Sequence, residues 1–451
     1  MVLQCMKAVI KKIIPKSVLN LRHLFFAWTG AVTYHHPSEE LLVIGVTGTS
    51  GKSSTVCFLR QLLEHAGFTV GSLSTIDFYI AGENRLNDKK MTMLGRSAIQ
   101  KYLREMVEAK CDIAIVETTS EGAVQYRHRC INYDMMVLTN LYPEHIDSHG
   151  SFEKYKQAKK DIFSYVAHSK RKTLQKKVGK TAIVNANNEH AGEFLLEAFD
   201  ERRLFSRSDE KVYVSEYQHS GASAHQHISS VVVRKGGLSF DVDGRGYTAP
   251  MYGEHNVLNI TAAMSVLSAL GVPAETIQAG VSQLQSPAGR LEFIPEAEAH
   301  QFQIIVDYAF EPGAMAGLYS VVDVLQPKRV IHVFGSTGGG RDIERRFTVG
   351  TYIGERADMC IVTDEDPYDD DPMAIMNDVA SAVAATGKKE HTDLFKIVDR
   401  AKAIAKAISL AKPGDLVLVT GKGSEQAMVV KGELVPWDDR AEVRKALKKK
   451  K

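Results

Sequence analysis

At 451 residues, with 44% hydrophobic and 24% charged residues, the chain is too long for one core and has the composition of two or three globular domains. A formal net charge of +2 gives no electrostatic case for a nucleic-acid partner, and the terminal KALKKKK reads as a solvated end. Five scattered cysteines, never spaced CxxC, argue against a disulfide framework or zinc site and point to a cytoplasmic protein, while no apolar run approaches the ~20 residues that span a bilayer.

The first 36 residues are basic and amphipathic in places but lack a signal-type apolar core with a cleavage site. They are expected to pack against the body of the protein rather than lie on a membrane, with no stable membrane insertion. After PSEE an α/β pattern begins: a strand in LLVIGVTG, a helix in SSTVCFLRQLLEHAG, a strand in TVGSLST, a helix in RSAIQKYLREMVEAK, and strands in DIAIVET and DMMVLTN. Such alternation predicts a mostly parallel sheet covered by helices. Residues 210–250 read as short antiparallel strands with glycine turns, followed by a helix in NVLNITAAMSVLSALG. A second α/β alternation starts near Arg290, with strands in FQIIVDYA, RVIHVFGSTGGG, MCIVTDEDP and LVLVTGKGSE, and helical stretches that include TDLFKIVDRAKAIAKAISLAK. The expected division is a short segment 1–40, a central domain 41–288 and a C-terminal domain 289–451.

The stretch IGVTGTSGKSSTVCFL places Gly48, Thr49, Ser50, Gly51, Lys52, Ser53 and Ser54 between a strand and a helix. Backbone N–H groups at such a junction, the positive helix end and the Lys52 cation form an anion cradle, and the Ser53 hydroxyl suits Mg²⁺. The strict GxxxxGK[ST] spacing is not met, because Val46 stands where its first glycine belongs.

A Gly-Thr-x-Gly-Lys-[Ser/Thr] loop after a strand resembles that of the Mur ligase family, which uses ATP to join an amino acid to a carboxylate through an acyl phosphate. IVETTSEG, LTNLYPEHIDSHGSFEKYKQAKKDIF, GEHNVLN, AGRLEFI, VDYA, FGSTGGGRD, TDEDPYDDDP and GKGSE follow in that family's order. The pattern is most similar to the members that add the third residue of the peptidoglycan stem peptide. The resemblance implies a P-loop-type, mostly parallel central sheet domain that binds ATP and a C-terminal Rossmann-like α/β domain that binds the amino acid, in a monomeric enzyme. It implies Glu117 as an Mg²⁺ ligand beside Ser53, and His145 and a carbamylated Lys159 as ligands of a second Mg²⁺. It also implies Asn256 at adenine, Asp307 at ribose, and Arg290 reaching across the domain gap to the γ-phosphate. The acceptor, a UDP-muramoyl-peptide-like carboxylate, would meet Thr92, Gln125 and Arg127; the amino acid would meet Glu365, Asp366, Tyr368, Gly421 and Glu425.

Several features depart from the family pattern. Phe310 and Ser424 stand where it has histidines, and only some 40 residues precede the phosphate-loop strand where the third-residue ligases carry a UDP-holding domain. Two other readings therefore stand beside the muramyl-peptide ligase: a folylpolyglutamate synthetase-like or other γ-glutamyl ligase, and a non-catalytic nucleotide-binding homologue. The diaminopimelate-adding members have Asp-Asn-Pro-Arg where this chain has Glu365, Asp366, Pro367 and Tyr368. Loss of that arginine, with Asp369, Asp370 and Asp371 following, predicts a diamino acid such as lysine or ornithine, unless Arg341 or Arg345 supplies the cation. The same aspartates are also suited to capping the helix that starts at PMAIMNDVA.

Overall fold

Residues 41–46 carry no polar side chain, as expected of a strand covered on both faces, and they form most of β1 (Leu42–Thr47), central in the larger of two main sheets. The structure, a computed structural model, describes residues 16–89, 91–144, 149–214, 222–340 and 343–450. Ahead of β1 lies α1 (Lys16–Thr33). After it come α2 (Lys52–His65), β2 (Val70–Leu73), the hairpin β3 (Asp77–Ile80) and β4 (Glu83–Leu86), and α3 (Arg96–Glu108). The chain continues through β5 (Ile113–Glu117), β6 (Met135–Leu138), α4 (Phe152–His168), β7 (Thr181–Asn185) and β8 (Glu201–Arg207). This part closes with β9 (Ala224–Arg234), β10 (Gly237–Val242), β11 (Arg245–Ala249) and α5 (Asn256–Ala269).

The strand order is β11-β10-β9-β8-β7-β6-β1-β5-β2-β3-β4. Strands from β9 to β2 in that order run parallel, and antiparallel strands close both edges, β10 and β11 at one and β3 and β4 at the other. The period of two sorts β1 between two layers: Val43 packs toward α3 and α4, Ile44 and Val46 toward α2 and α5. Gly45 faces the first layer, where an added Cβ would lie 2.3 Å from Met136 Cε. Nearly every side chain of α5 is buried, because it lies between the sheet and α2.

A second sheet is built from β12 (Glu292–Phe293), β13 (Gln303–Asp307), β14 (Val330–Phe334), β15 (Met359–Val362), β16 (Leu394–Lys396) and β17 (Leu416–Thr420), in the order β12-β13-β17-β14-β15-β16. All its pairs are parallel except β12 with β13. Helices α6 (Pro312–Leu325), α7 (Glu344–Arg356), α8 (Pro372–Ala385) and α9 (Arg400–Leu410) flank it. The expected helix over residues 392–412 is shorter than its sequence suggested. Leu394–Lys396 pair with β15, and Asp399 then caps α9 by accepting from the Lys402 N–H at 3.1 Å. The capping role expected of the aspartates falls to Asp371, which accepts from the Met373 N–H at 3.1 Å.

Helix α1 does pack against the body, on α3, through small residues. Ala27 and Ala31 are buried, and the backbones come so close that a Cβ on Gly30 would sit 2.9 Å from Ser97 Cα.

At the amino edge of the parallel strands Asp134 is fully buried. Its carboxylate accepts from the Val43 N–H at 2.9 Å, pairs with Lys180 at 3.1 Å and pairs with Lys172. Lys172 also donates to the carbonyls of Ser38 and Asn132, both at 2.8 Å, so this cluster ties the entry to β1 to the loop before β6 and the loop after α4. Burial lowers the pKa of both lysines, and Asp134 works against that. Asp134→Ala leaves two buried ammonium groups without a counter-ion and is expected to destabilise the protein by about 3–5 kcal/mol. Equilibrium denaturation measures this, and a change below about 1 kcal/mol would mean the cluster is not a structural tie.

Candidate active site

Parallel register brings the carboxyl ends of β1, β5 and β6 to one edge, with Val46 opposite Glu117 and Thr47 opposite Leu138. The turn from β1 into α2 crosses that edge. Gly51 has φ 77°, and an added Cβ there would meet Asn259 Oδ1 at 2.2 Å, so both conformation and space call for glycine. Two residues that sequence reasoning quoted without assigning shape the turn. Asn140 Oδ1 accepts from the N–H groups of Thr49 and Ser50 at 3.1 and 2.9 Å, and Thr139 Oγ1 donates to the Ser50 carbonyl at 2.7 Å. The first-turn N–H groups of α2, including those of Ser53 and Ser54, have no intrahelical acceptor and are what remains for an anion. The signal for Asn140 was its place just past the end of β6, in register with the loop.

Glu117 closes β5 and is buried. Its Oε2 accepts from Ser53 Oγ at 2.9 Å and from the Thr75 N–H at 2.8 Å; the Thr75 hydroxyl lies 3.0 Å from Oε1 and from Thr92 Oγ1. The structure thus joins Ser53, Glu117 and Thr92, and adds Thr75, which the sequence had not marked. Among the described residues no three His, Cys, Asp or Glu side chains group as a metal cluster. The oxygen donors present are Ser53 and Glu117. That set suits Mg²⁺, a hard ion that takes few protein ligands when it shares a nucleotide's phosphates. His145 lies outside the described residues.

Two lysines meet at one carbonyl. Lys52 Nζ donates to the oxygens of Gly48 at 3.1 Å and Thr49 at 2.9 Å; Lys159 Nζ, from α4, donates to the same Gly48 oxygen at 2.8 Å. Lys159 is buried, its amine 4.7 Å from the centre of the Tyr155 ring. Burial, then the Lys52 charge, hold its pKa well below the ordinary lysine range.

The segment leading into the second sheet carries the expected adenine, ribose and phosphate residues. Asn256, buried at the start of α5, donates to the Tyr252 carbonyl at 2.9 Å and accepts from Asn259 at 3.2 Å. Asp307 ends β13 and accepts from the N–H groups of Leu291 at 2.6 Å and Ala309 at 2.7 Å. Burial raises its pKa. Both side chains therefore hold backbone around the linker. Arg290 extends over the Tyr308 ring at 4.1 Å and lies within electrostatic reach of Lys52. Phe310 packs edge-on against Tyr308, with their centroids 5.1 Å apart. Gly289 touches the loop after β17 backbone to backbone: an added Cβ would lie 2.1 Å from the Gly423 carbonyl carbon.

One cleft connects these groups, lined by Thr75 and Thr92 on one side, Arg290 and Tyr308 in the middle, and Ser424, Glu425 and Gln426 on the other. Behind Glu425 lies Lys422, fully buried and missed in the sequence. It pairs with Asp366 at 2.8 Å and with Glu425, and these carboxylates hold its pKa above the ordinary range. Tyr308 donates to Glu425 at 3.3 Å. Glu365 is buried against Gly421, where an added Cβ would meet Glu365 Oε2 at 2.3 Å. Its pKa is pushed up to about 7 by burial, against the pull of Arg400 and Lys422. Tyr368 takes a left-handed backbone, φ 55°, pinned by hydrogen bonds to Val429 and Lys431, and its ring lies on Gly339. Asp369, Asp370 and Asp371 are exposed, with Asp370 accepting from the Gly339 N–H at 2.9 Å, so they do not point into this site as a cation pocket would require. Arg345 donates to Thr337 Oγ1 at 2.7 Å and lies 5.0 Å over the Phe310 ring. Arg341 is outside the described residues.

On the acceptor side, Gln125 Oε1 accepts from Arg127 at 2.7 and 3.2 Å, and Arg127 also donates to the carbonyl of Met93, next to Thr92.

Residues 46–267 match the Mur ligase middle domain, and residues 289–423 match the Mur ligase glutamate ligase domain. A UDP-N-acetylmuramyl-tripeptide synthetase of Roseiflexus sp. (strain RS-1) is 35% identical over 423 residues, covering 92% of this chain and 80% of that protein. A UDP-N-acetylmuramoyl-L-alanyl-D-glutamate--2,6-diaminopimelate ligase of Chlamydia trachomatis serovar D is 34% identical over 422 residues, with the same coverage of 92% and 80%. A solved folylpolyglutamate synthase of Mycobacterium tuberculosis, complexed with ADP and AMPPCP, superposes with TM-score 0.63 over 94% of this chain and 95% of its own, at 16% identity. At that identity the likeness concerns the fold alone.

Glu365 supplies a pH test of the pocket. Its folded pKa of about 7 lies above the ordinary 4.5, so the stability it contributes is complete below pH 4.5 and is lost as pH rises through 7. Across that window the parent protein should lose about 3 kcal/mol more than Glu365→Gln. Urea denaturation of both proteins at the two ends measures the difference; parallel pH profiles would refute the buried acid.

Proposed function

Because the chain belongs to the Mur ligase family, we propose that it joins a diamino acid to the carboxylate of a UDP-muramoyl-peptide-like acceptor in peptidoglycan precursor synthesis. It is an ATP-dependent, ADP-forming acid–amino-acid ligase. The observation that carries the reading is the cleft lined by Thr92, Arg290 and Glu425, in which Thr75 links Thr92 to Glu117 and Ser53. The 34–35% identity to muramyl-peptide ligases favours this acceptor class over folates, for which only a likeness of fold speaks. Two working lobes, 41–288 and 289–451, a cytoplasmic monomer and no nucleic-acid partner complete the reading. Among the described residues no helix is long and apolar enough to cross a membrane.

Amide formation requires one carboxylate oxygen of the acceptor to become a leaving group. That oxygen attacks the γ-phosphorus of ATP and ADP departs; the amine then attacks the acyl carbon and phosphate departs with the oxygen. The protein's task is to offset charge and fix positions. The first-turn N–H groups of α2 and the Lys52 ammonium bind the phosphates, and Arg290 grips the γ-phosphate from the far side of the cleft with its planar fork. The family uses Mg²⁺, which Ser53 and Glu117 would hold and which would neutralise phosphate oxygens. Lys159 is the carbamylation candidate. Burial draws its pKa well below the ordinary lysine range, which favours the neutral amine, the form that adds to CO₂: the N–C bond forms as one C–O π bond opens, the nitrogen gives up one proton, and the neutral amine becomes a carbamate anion.

For the amino acid, Tyr368 offers no charge to a distal carboxylate, and the buried carboxyls of Glu365 and Asp366 disfavour a second one. This supports lysine or ornithine. Diaminopimelate is the second reading, favoured by Arg345, which lies near enough to act on Glu365 electrostatically.

Phosphate release with UDP-muramoyl-dipeptide or folate acceptors, each with a panel of amino acids, tests the acceptor. Competition between labelled lysine and diaminopimelate tests the pocket. Turnover with UDP-muramoyl-dipeptide and preference for lysine are expected; turnover with folate alone, or clear preference for diaminopimelate, would overturn the corresponding part. Lys159→Ala should be nearly inactive and partly restored by acetate, and normal turnover in that variant would refute the carbamate role.

A further inference from the structure

Helix α1 is apolar on two faces, and only one is covered. The covered face is small, with Ala27, Gly30 and Ala31 against α3. The outer face is large: Leu21, Leu24, Phe25, Trp28 and Val32, at spacings of three and four, form one stripe along the helix. All five are exposed, Leu21 at 68% and Trp28 at 54%, and the Phe25 and Trp28 rings lie 6.5 Å apart in solvent. Large side chains outside and small ones inside reverse the usual distribution of a surface helix, and among the described residues nothing covers this stripe, as expected of a docking face.

Charge identifies that partner. The first 38 residues contain Lys7, Lys11, Lys12, Lys16 and Arg22 and no aspartate or glutamate, a net +5 in a chain whose total is only +2. An aromatic and leucine stripe on a helix in a cationic segment matches the boundary between anionic headgroups and acyl chains, where tryptophan is favoured and each lysine or arginine adds attraction. With no helix among the described residues long and apolar enough to cross, α1 would lie in the plane of such a surface. We propose that α1 docks the protein peripherally on an anionic phospholipid bilayer through Leu21, Leu24, Phe25, Trp28 and Val32. On its covered side α1 adjoins the acceptor residues: His23 lies 2.6 Å from Arg96, which donates to the Gln125 carbonyl at 2.8 Å. Docking rests on α1 alone and stands whether or not the ligase reading does.

Full-length protein is sedimented with vesicles of equal parts phosphatidylglycerol and phosphatidylcholine, and with vesicles of phosphatidylcholine only. A Trp437→Phe background leaves Trp28 as the sole tryptophan, so its emission reports the local environment. The expected result is binding to the anionic vesicles with a blue shift of Trp28 emission, weakened by high salt. Phe25→Ser with Trp28→Ser should lower vesicle affinity about tenfold or more, with unchanged melting temperature and unchanged phosphate release. Exposed side chains of this kind tolerate substitution, so folding is retained. No binding to anionic vesicles, or binding that the double variant leaves intact, would overturn the proposal. So would a concentration-dependent dimer in light scattering that the double variant abolishes, because a second copy would then cover the stripe.

Discussion

The parallel pairing of β1 with β5 and β6 is the constraint on which the site depends. One register places Val46 beside Glu117 and Thr47 beside Leu138, so the phosphate loop, the acidic strand end and the Thr139–Asn140 turn emerge side by side. A slip of one residue would turn every side chain of β1 to the opposite layer, setting Val43 against α2 and breaking both cores. Hydrophobic sorting therefore fixes the register, and the register fixes the geometry at the sheet edge. Thr75 follows from the same logic, reaching Glu117 from the turn after β2, the next parallel strand.

The second organising fact is electrostatic. Lys52 and Lys159 converge on the Gly48 carbonyl, and two ammonium groups sharing one acceptor in a buried place repel each other. Burial lowers both pKa values, that of Lys159 well below the ordinary lysine range because the Lys52 charge adds to its burial, while Glu117 and Glu144 oppose the shift at both amines. Lys422 shows the opposite outcome, equally buried but supplied with two carboxylates and so held charged. Burial lowers the pKa in both cases; the neighbours decide the direction of the net shift.

Much of this was legible in the sequence because it is local. A glycine-rich turn between a strand and a helix carries its context within a dozen residues, whereas Glu117 and Lys159 were marked only because the order of motifs resembles the Mur ligase family. The contributions of Asn140, Thr75 and Lys422 were not legible, since each acts on residues far along the chain: Asn140 on Ser50, Thr75 on Glu117, Lys422 on Asp366. The acidic run at Asp369–Asp371 allowed two readings, and the local one, helix capping, is what the structure shows. Its composition suggested a pocket, while its capping of α8 and its hold on Gly339 need only neighbouring backbone. Residues Leu394–Lys396 were read into a helix because apolar spacing in so short a run does not separate strand from helix.

The contact of Gly289 with Gly423 bears on how the enzyme moves. Each glycine has a positive φ, and their main chains touch without side chains between them, while Gly423 also presses on the Tyr308 backbone. Arg290 follows directly on one side of this contact, and Lys422 and Glu425 flank it on the other. A rotation of the linker that withdraws Arg290 therefore cannot leave the Gly-Lys-Gly loop in place, because backbone pressed on backbone has no slack to absorb the displacement. With the roles proposed for Arg290 and Glu425, grip on phosphate and shape of the amino-acid pocket are thus geared together through this backbone contact.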